Sequence, residues 1–285
     1  MLRSPRRSRA ATVFLAGLAG ACAAAGLTGC AGGSPLLHPA QTLASGDVRA
    51  AGGLSAQVVV GSLANDLSSA RAQAARDPDL PGPPGTNPGY ARGALVAAAL
   101  APGLAPFVGA RVGIGGQAEG GIAYTGRGVR IDMRRAFTLG TGTALSIGGG
   151  VSAPFYGRQQ GEPLPNVDLS SLRGYGADVP VLVGWESSAG IYRAWAGVRG
   201  GFEYDSIENL TSEPKPVTLG VPPIGLSATR YYGSALVGLA AGFRYLHVAL
   251  ELDATYQTAH GRYNGTTVDV QGVALTPATA VWWQF

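Results

Sequence analysis

VDVQGVALTPATAVWWQF (residues 268–285) closes the chain, and its reading decides how everything before it is read. Counted back from the terminus, Phe285, Trp283, Val281, Thr279, Pro277, Leu275 and Val273 share one face of an extended strand. Gln284, Trp282, Ala280, Ala278, Thr276, Ala274 and Gly272 share the other, because strand side chains alternate with a period of two. The first face is apolar and ends in aromatic rings. Two adjacent tryptophans and a phenylalanine at the end of a soluble sheet would stand in water, whereas a strand facing lipid accommodates them.

This stretch resembles the closing strand of bacterial outer-membrane β-barrels, in which a terminal Phe with aromatic and apolar residues at alternate positions is read by the assembly machinery. The resemblance implies that Phe285, Trp283 and Val281 are an assembly signal, and that the fold is an all-β, transmembrane, antiparallel up-and-down barrel. Composition agrees with one large β domain: 285 residues, 46% hydrophobic and 13% charged, with 45 glycines. Beyond the leader no window approaches the roughly eighteen apolar residues of a spanning helix, so any crossing is made by strands.

Residues 1–29 have the form of a secretory signal, with Arg3, Arg6, Arg7 and Arg9 ahead of an apolar run from Ala10 to Ala25. Those four account for the excess of charge. Of 21 Lys and Arg, removing them leaves 17 against 17 Asp and Glu, so the net +4 belongs to the leader and implies no nucleic-acid partner. Leu27-Thr28-Gly29-Cys30 resembles a lipobox, in which the cysteine becomes the diacylated first residue of the mature chain. Cys22, with Ala19 where that motif prefers Leu, is the poorer match. The resemblance implies lipidation at Cys30, passage through the lipoprotein-processing machinery and, since Ala31 rather than Asp follows, delivery to the outer membrane. Only Cys30 then remains, which rules out a disulfide within the mature chain or a thiolate metal site. Residues 30–45 read as a lipidated tether containing Pro35 and Pro39, and residues 46–285 as the barrel.

From Gly46 the period becomes two, giving a first strand to about residue 57. The stretch 61–76 then shows Leu63, Leu67 and Ala70 at helical spacing, 77–89 is rich in Pro and Gly, and 91–101 is an Ala-rich helix or plug. Residues 58–104 therefore form an insertion after the first strand. Nine more alternating segments follow, the clearest being Leu246, Val248, Leu250, Leu252 and Tyr256 against His247, Glu251, Asp253 and Gln257. Ten strands result, or eight if the tight hairpin at Gly126 is one long strand. With ten, the connections at 58–104, 154–176, 205–227 and 260–267 fall at one end with the short turn at 126–128, and the short turns near 117, 140, 188 and 244 at the other. Long loops on one side and short turns on the other characterise such barrels.

The inward positions carry Arg49, Arg111, Arg130, Arg134, Arg193, Arg199, Arg230 and Arg244 with Glu119, Asp132, Glu186, Glu203, Glu251 and Asp253. This predicts a lumen filled by Arg–carboxylate pairs, with Arg244 and Arg230 nearest to Glu251 and Asp253. Barrels of this size include the omptin proteases, which use aspartate pairs and a histidine above the outer rim. Asp178, Asp205, Asp269 and His260 are the residues that such a site would draw on here, but no motif of that family matches; a Ser–His lipid hydrolase would need a lipid-facing dyad, whereas His247 alternates inward beside Glu251. The chain is expected to be no enzyme and to carry no catalytic residue, metal or cofactor beyond the lipid on Cys30. It reads as an envelope barrel acting through its outer loops, or alternatively as a narrow porin-like channel or transporter gated by 58–104.

Overall fold

The computed structural model describes residues 32–77, 87–155, 164, 167, 169–208, 210 and 225–285. Ten strands follow the alternation: β1 (Val48–Val59), β2 (Gly103–Gly115), β3 (Ala118–Tyr124), β4 (Gly128–Gly140) and β5 (Thr143–Pro154) make the first half. β6 (Arg173–Glu186), β7 (Tyr192–Ile207), β8 (Leu226–Phe243), β9 (Leu246–Tyr263) and β10 (Thr266–Gln284) make the second. Each pairs antiparallel with its neighbours in sequence, and β10 closes on β1 from Arg49↔Gln284 to Val59↔Ala274. The hairpin at Gly126 is two strands, so the count is ten and not eight. The terminal residue is part of the seam: Val48 N–H donates to the Phe285 carbonyl at 2.8 Å, and Phe285 N–H to the Val48 carbonyl at 2.9 Å. Closure leaves no unpaired strand edge, which a sheet in lipid requires.

The barrel is inside out. On β9, Leu250 is 57% exposed while the adjacent Glu251 is 4% exposed, and the same inversion holds at Ile131 and Met133 against Arg130 and Asp132. The outer face forms an apolar belt. Phe137, Trp185, Tyr192, Phe243 and Trp283 mark its border at the end of the short turns, and Tyr175, Tyr231 and Tyr256 mark the other border. Such rings place the lipid interfaces. Leu250→Arg, mid-belt, is accordingly expected to cost about 2–4 kcal/mol of folding stability in lipid vesicles. Denaturant titration of the reconstituted barrel measures it, and an unperturbed midpoint would mean that this face meets water.

The outer end differs from the sequence expectation at one connection. Residues 260–267 are not a long loop: β9 and β10 continue outward to Tyr263 and Thr266 and meet in a tight turn at Asn264-Gly265, both at positive φ (48° and 84°). Packing explains the extension. Ala259, Tyr263, Val268 and Val270 face inward there and are buried against the helical insertion, which folds as α1 (Ser62–Arg76) and α2 (Pro88–Leu100). α2 is apolar on nearly every side and correspondingly buried from Tyr90 to Leu100, except at Arg92, which is exposed and pairs with Asp66 of α1 at 3.1 Å. It lies within the mouth of the barrel as a cap. Gly261 lets Leu95 approach the wall, since a Cβ there would stand 2.8 Å from Leu95 Cδ1. Residues 156–163, 165, 166 and 168 of the loop read at 154–176, residues 209 and 211–224 of that read at 205–227, and residues 78–86 lie outside the described residues.

The largest difference concerns the tether. Over residues 32–43 the chain is no solvated leash: it lies inside the lumen, with Leu36, Leu37, His38, Ala40 and Leu43 all buried, and emerges at the turn end at the exposed Ala44, Ser45 and Gly46. We call this segment the strap. Leu36, Leu37 and Ala40 join Phe107, Leu182, Trp195 and Trp282 in an apolar cluster at the turn end, where the two indole rings lie 5.8 Å apart. Pro35 and Pro39 carry no N–H, so two positions that read as tether chemistry also suit a chain threaded through a dry interior.

Candidate functional site

The site is the lumen. Because inward parity on β2 to β8 repeatedly selects Arg, Asp or Glu, the charges meet across neighbouring strands and form a lattice of three groups at successive levels. Arg134 bonds Glu119 at 2.7 Å, Glu119 also meets Arg111, Arg111 meets Asp132, and Asp132 meets Arg130. Asp178 completes the row, accepting from Arg130 at 2.8 and 2.9 Å and from Arg199 at 2.8 Å. Near the outer end Arg127 holds both Glu203 and Asp205 (2.8 Å to Asp205), and Arg230 donates to Glu203 at 3.1 Å. At the turn end Arg193 pairs with Glu186 at 3.0 Å, and both Arg193 and Arg49 donate to Gln284.

The row from Arg134 to Arg199 contains four arginines, Arg134, Arg111, Arg130 and Arg199, and three carboxylates, Glu119, Asp132 and Asp178. Two of these arginines also bond the strap: Arg199 donates to the Ser34 carbonyl at 2.6 Å, and Arg134 to the carbonyls of Pro39 and Gln41 (3.0 Å to Gln41). Carboxylates hold its amides in turn. Glu251 accepts from the backbone N–H groups of Leu36 at 2.7 Å and Leu37 at 2.9 Å, and Glu119 from Leu43 at 2.9 Å. The lumen thus binds an extended peptide through its main chain. Buried backbone groups demand partners, and here arginine and carboxyl side chains supply them in place of a sheet neighbour.

Two expected pairings are corrected. Arg244 is not in the lumen: it sits in the two-residue turn between β8 and β9 at φ 56°, against the ring of Phe243. Arg230 does face inward but reaches Glu203 and Gln257. Glu251 and Asp253 are therefore not neutralised by those arginines. Glu251 takes the two strap amides and the Trp195 indole N–H at 3.0 Å, while Asp253 accepts from Ser234 and Thr255. Three residues that sequence reasoning places elsewhere belong to the lattice: Asp178, Asp205 and Arg127. Asp178 shares inward parity with Leu182, opposite the outward Val179, Val181 and Val183, and that parity identifies it. Arg127 lies in a Gly-Arg-Gly turn, where alternation carries no information.

The enzyme-like constellations are split by the wall. Asp178 and Asp205 point inward into ion pairs, whereas His260 and Asp269 point outward and bond one another at 2.8 Å, each about 60% exposed. His247 lies inward at the turn end with Nε2 donating to the Gly190 carbonyl at 3.0 Å. Where the strap ends under α2, a cavity of about 50 Å³ remains, lined by Gly32, Arg127, Arg130, Arg199, Arg230 and Asp253 among others. Polar and of that size, it has room for a few water molecules.

A closed barrel with an apolar belt outside and charges inside crosses a bilayer. Its architecture is that of an outer-membrane β-barrel. No family model matches the chain, and no curated protein sequence does. Among solved structures, it is similar to the outer membrane protease OmpT of Escherichia coli at 8% identity and a TM-score of 0.38, over 86% of this chain and all of that one. A major outer membrane protein of Thermus thermophilus matches at 13% identity and 0.32, over 55% of this chain and 92% of the other. Neisserial surface protein A matches at 12% identity and 0.31, over 86% and 100%.

Proposed function

We propose that this chain is a bacterial outer-membrane lipoprotein whose barrel is a closed, non-enzymatic scaffold, anchored through Cys30 and presenting its outer loops to envelope or surface partners. One observation carries the reading: the lumen is occupied by the protein's own strap, which the lattice binds along its length, and is capped by α2. A passage for solute would need that volume. The lattice itself favours closure, because buried arginines and carboxylates without hydration are stable only in mutual contact. The separation of Asp178 and Asp205 from His260 and Asp269 supports a scaffold over a protease. The assembly machinery that reads Phe285 and the machinery that acylates Cys30 are the partners implied; the lipid of the bilayer is the third.

Planar-bilayer recording from the purified full chain tests this. A correctly folded barrel, recognised by heat-modifiable migration, is expected to give no ion steps. Reproducible steps would favour the second reading, a narrow channel whose gate is the helical insertion.

A further inference from the structure

We infer that the strap delivers the N-terminus of the mature chain to the loop end of the barrel, so that position 30 and the lipid it carries belong to the outer leaflet and the cell surface, not to the periplasmic leaflet. The lipid part rests on the lipoprotein reading proposed above; the threading does not.

The direction of the strap is fixed at successive levels. At the turn end, the Gly46 N–H donates to the Gly113 carbonyl and the Gly113 N–H to Asp47, while the Gln41 side chain reaches the Gly142 carbonyl in the β4–β5 turn. Leu37 and Leu36 are next, on Glu251, then Ser34 on Arg199. Gly33 packs on Thr276, and the Gly32 N–H ends on the Ala101 carbonyl at 2.8 Å, where α2 hands over to β2 at the opposite mouth. From Gly46 to Gly32 the chain therefore crosses the lumen.

Cys30 lies two residues beyond Gly32, outside the described residues. Two residues reach about 7 Å at full extension, against an apolar belt about 25 Å tall, so the cysteine cannot return to the periplasmic leaflet while Gly32 keeps its place. The wall offers an exit on one side. The cavity beside Gly32 and Gly33 extends to Thr125, Arg127, Gly128 and Pro154, the outer tip of the β3–β4 hairpin and its neighbour. β3 has 7 residues where β9 and β10 have 18 and 19, so the rim is lowest there. On the outward side of that rim Tyr124 and Phe155 stack at 6.4 Å, an aromatic pair of the kind that marks a lipid interface. An acyl chain leaving over this hairpin enters the outer leaflet directly, with no need to pass the helical cap.

The test is an epitope inserted between Ala31 and Gly32 of the full chain, made in bacteria that also incorporate a clickable palmitate analogue. Antibody binding to intact cells, unchanged on permeabilising the outer membrane, is the expected result. Binding that appears only after permeabilisation overturns the threading. Palmitate label is read separately on the same protein: surface epitope without label leaves the threading standing and removes the lipoprotein reading, and label without surface epitope does the reverse. Should the insertion prevent folding, the strap is located by a disulfide between Ala40→Cys and Gly184→Cys in a Cys30→Ser background, since the side chain of Ala40 lies directly against Gly184 at the turn end of the lumen. Thiols that stay blocked to maleimide until reduced support the path; freely reactive thiols in the folded barrel overturn it.

Discussion

Asp178→Ala is expected to destabilise the barrel by about 3–5 kcal/mol, while Asp269→Asn shifts it by less than about 1 kcal/mol. Asp178 pairs with two arginines and Asp269 is hydrogen-bonded to His260, and the contrast follows from where the partners sit. The Asp178 side chain is 1% exposed and accepts three hydrogen bonds, two from Arg130 and one from Arg199. Removing the carboxylate leaves two guanidinium groups facing one another in a space that water reaches poorly, and the cost of an uncompensated buried charge far exceeds the net worth of the pair. Asp269 and His260 stand in solvent, where high dielectric and salt screening reduce the pair to little. Asp178→Asn separates the two contributions, since the amide keeps the shape and an acceptor but loses the charge. Urea unfolding of the three variants in lipid vesicles gives the comparison. Equal, small losses at 178 and 269 would mean that the lattice is hydrated and the lumen is a wet pore.

How much of this is legible in the sequence depends on whether a residue's environment is set by alternation. Where a strand is simply lipid on one side and lumen on the other, period two suffices: it places Arg130, Asp132 and Arg134 opposite Ile131 and Met133, and Glu251 and Asp253 opposite Leu250 and Leu252. The closing strand is read correctly from its terminal aromatics down to Trp282, which faces inward as its parity requires. Alternation says which face, not which partner. Hairpin proximity pairs Arg230 with Glu251, whereas the real competitor for Glu251 is a pair of backbone amides from a segment more than two hundred residues away in sequence. Main-chain recognition leaves no side-chain signature, so the strap is invisible to pattern reading: Gly, Ser and Pro suit a solvated tether and a threaded peptide equally. The outward continuation of β9 and β10 escapes pattern reading for a related reason. His260 to Gly265 looks polar and turn-like, but its inward residues meet α2 and not lipid, so the strand persists beyond the apolar belt.

A chain lacking residues 32–45 is expected to conduct ions where the full chain is silent, while deletion of the helical insertion alone is expected to leave it silent. The strap is held at both mouths and at intermediate levels, so its removal changes the lumen along its whole length. Glu251 loses two of its three donors, Arg134 and Arg199 lose carbonyl acceptors, and Trp195 and Trp282 lose the leucines packed beside them. Charges stripped of partners in a confined space draw in water, because hydration is then their only compensation. The space left is that of one extended chain, about 5 Å across judged by the spacing of neighbouring strands, which admits a file of water and small ions. Its outer opening is the polar cavity at the β3–β4 rim rather than the capped mouth. α2, by contrast, packs mainly on the outward extension of β8 to β10 and meets the rest of the lumen only at its outer end, where Ala98 and Ala99 accept from Arg127 and Ala101 from the Gly32 N–H, so its loss leaves the strap from Gly33 inward and the row from Arg134 to Arg199 in place. The deletion also removes Leu36 and Leu37 from the core, at about 1.5–3 kcal/mol for each side chain, so the variant should unfold earlier while keeping a heat-modifiable barrel. Single-channel recording of the two deletions side by side decides between the two plugs. Steps from the helix deletion, with silence from the strap deletion, would make the insertion the gate and reduce the strap to lumen filling.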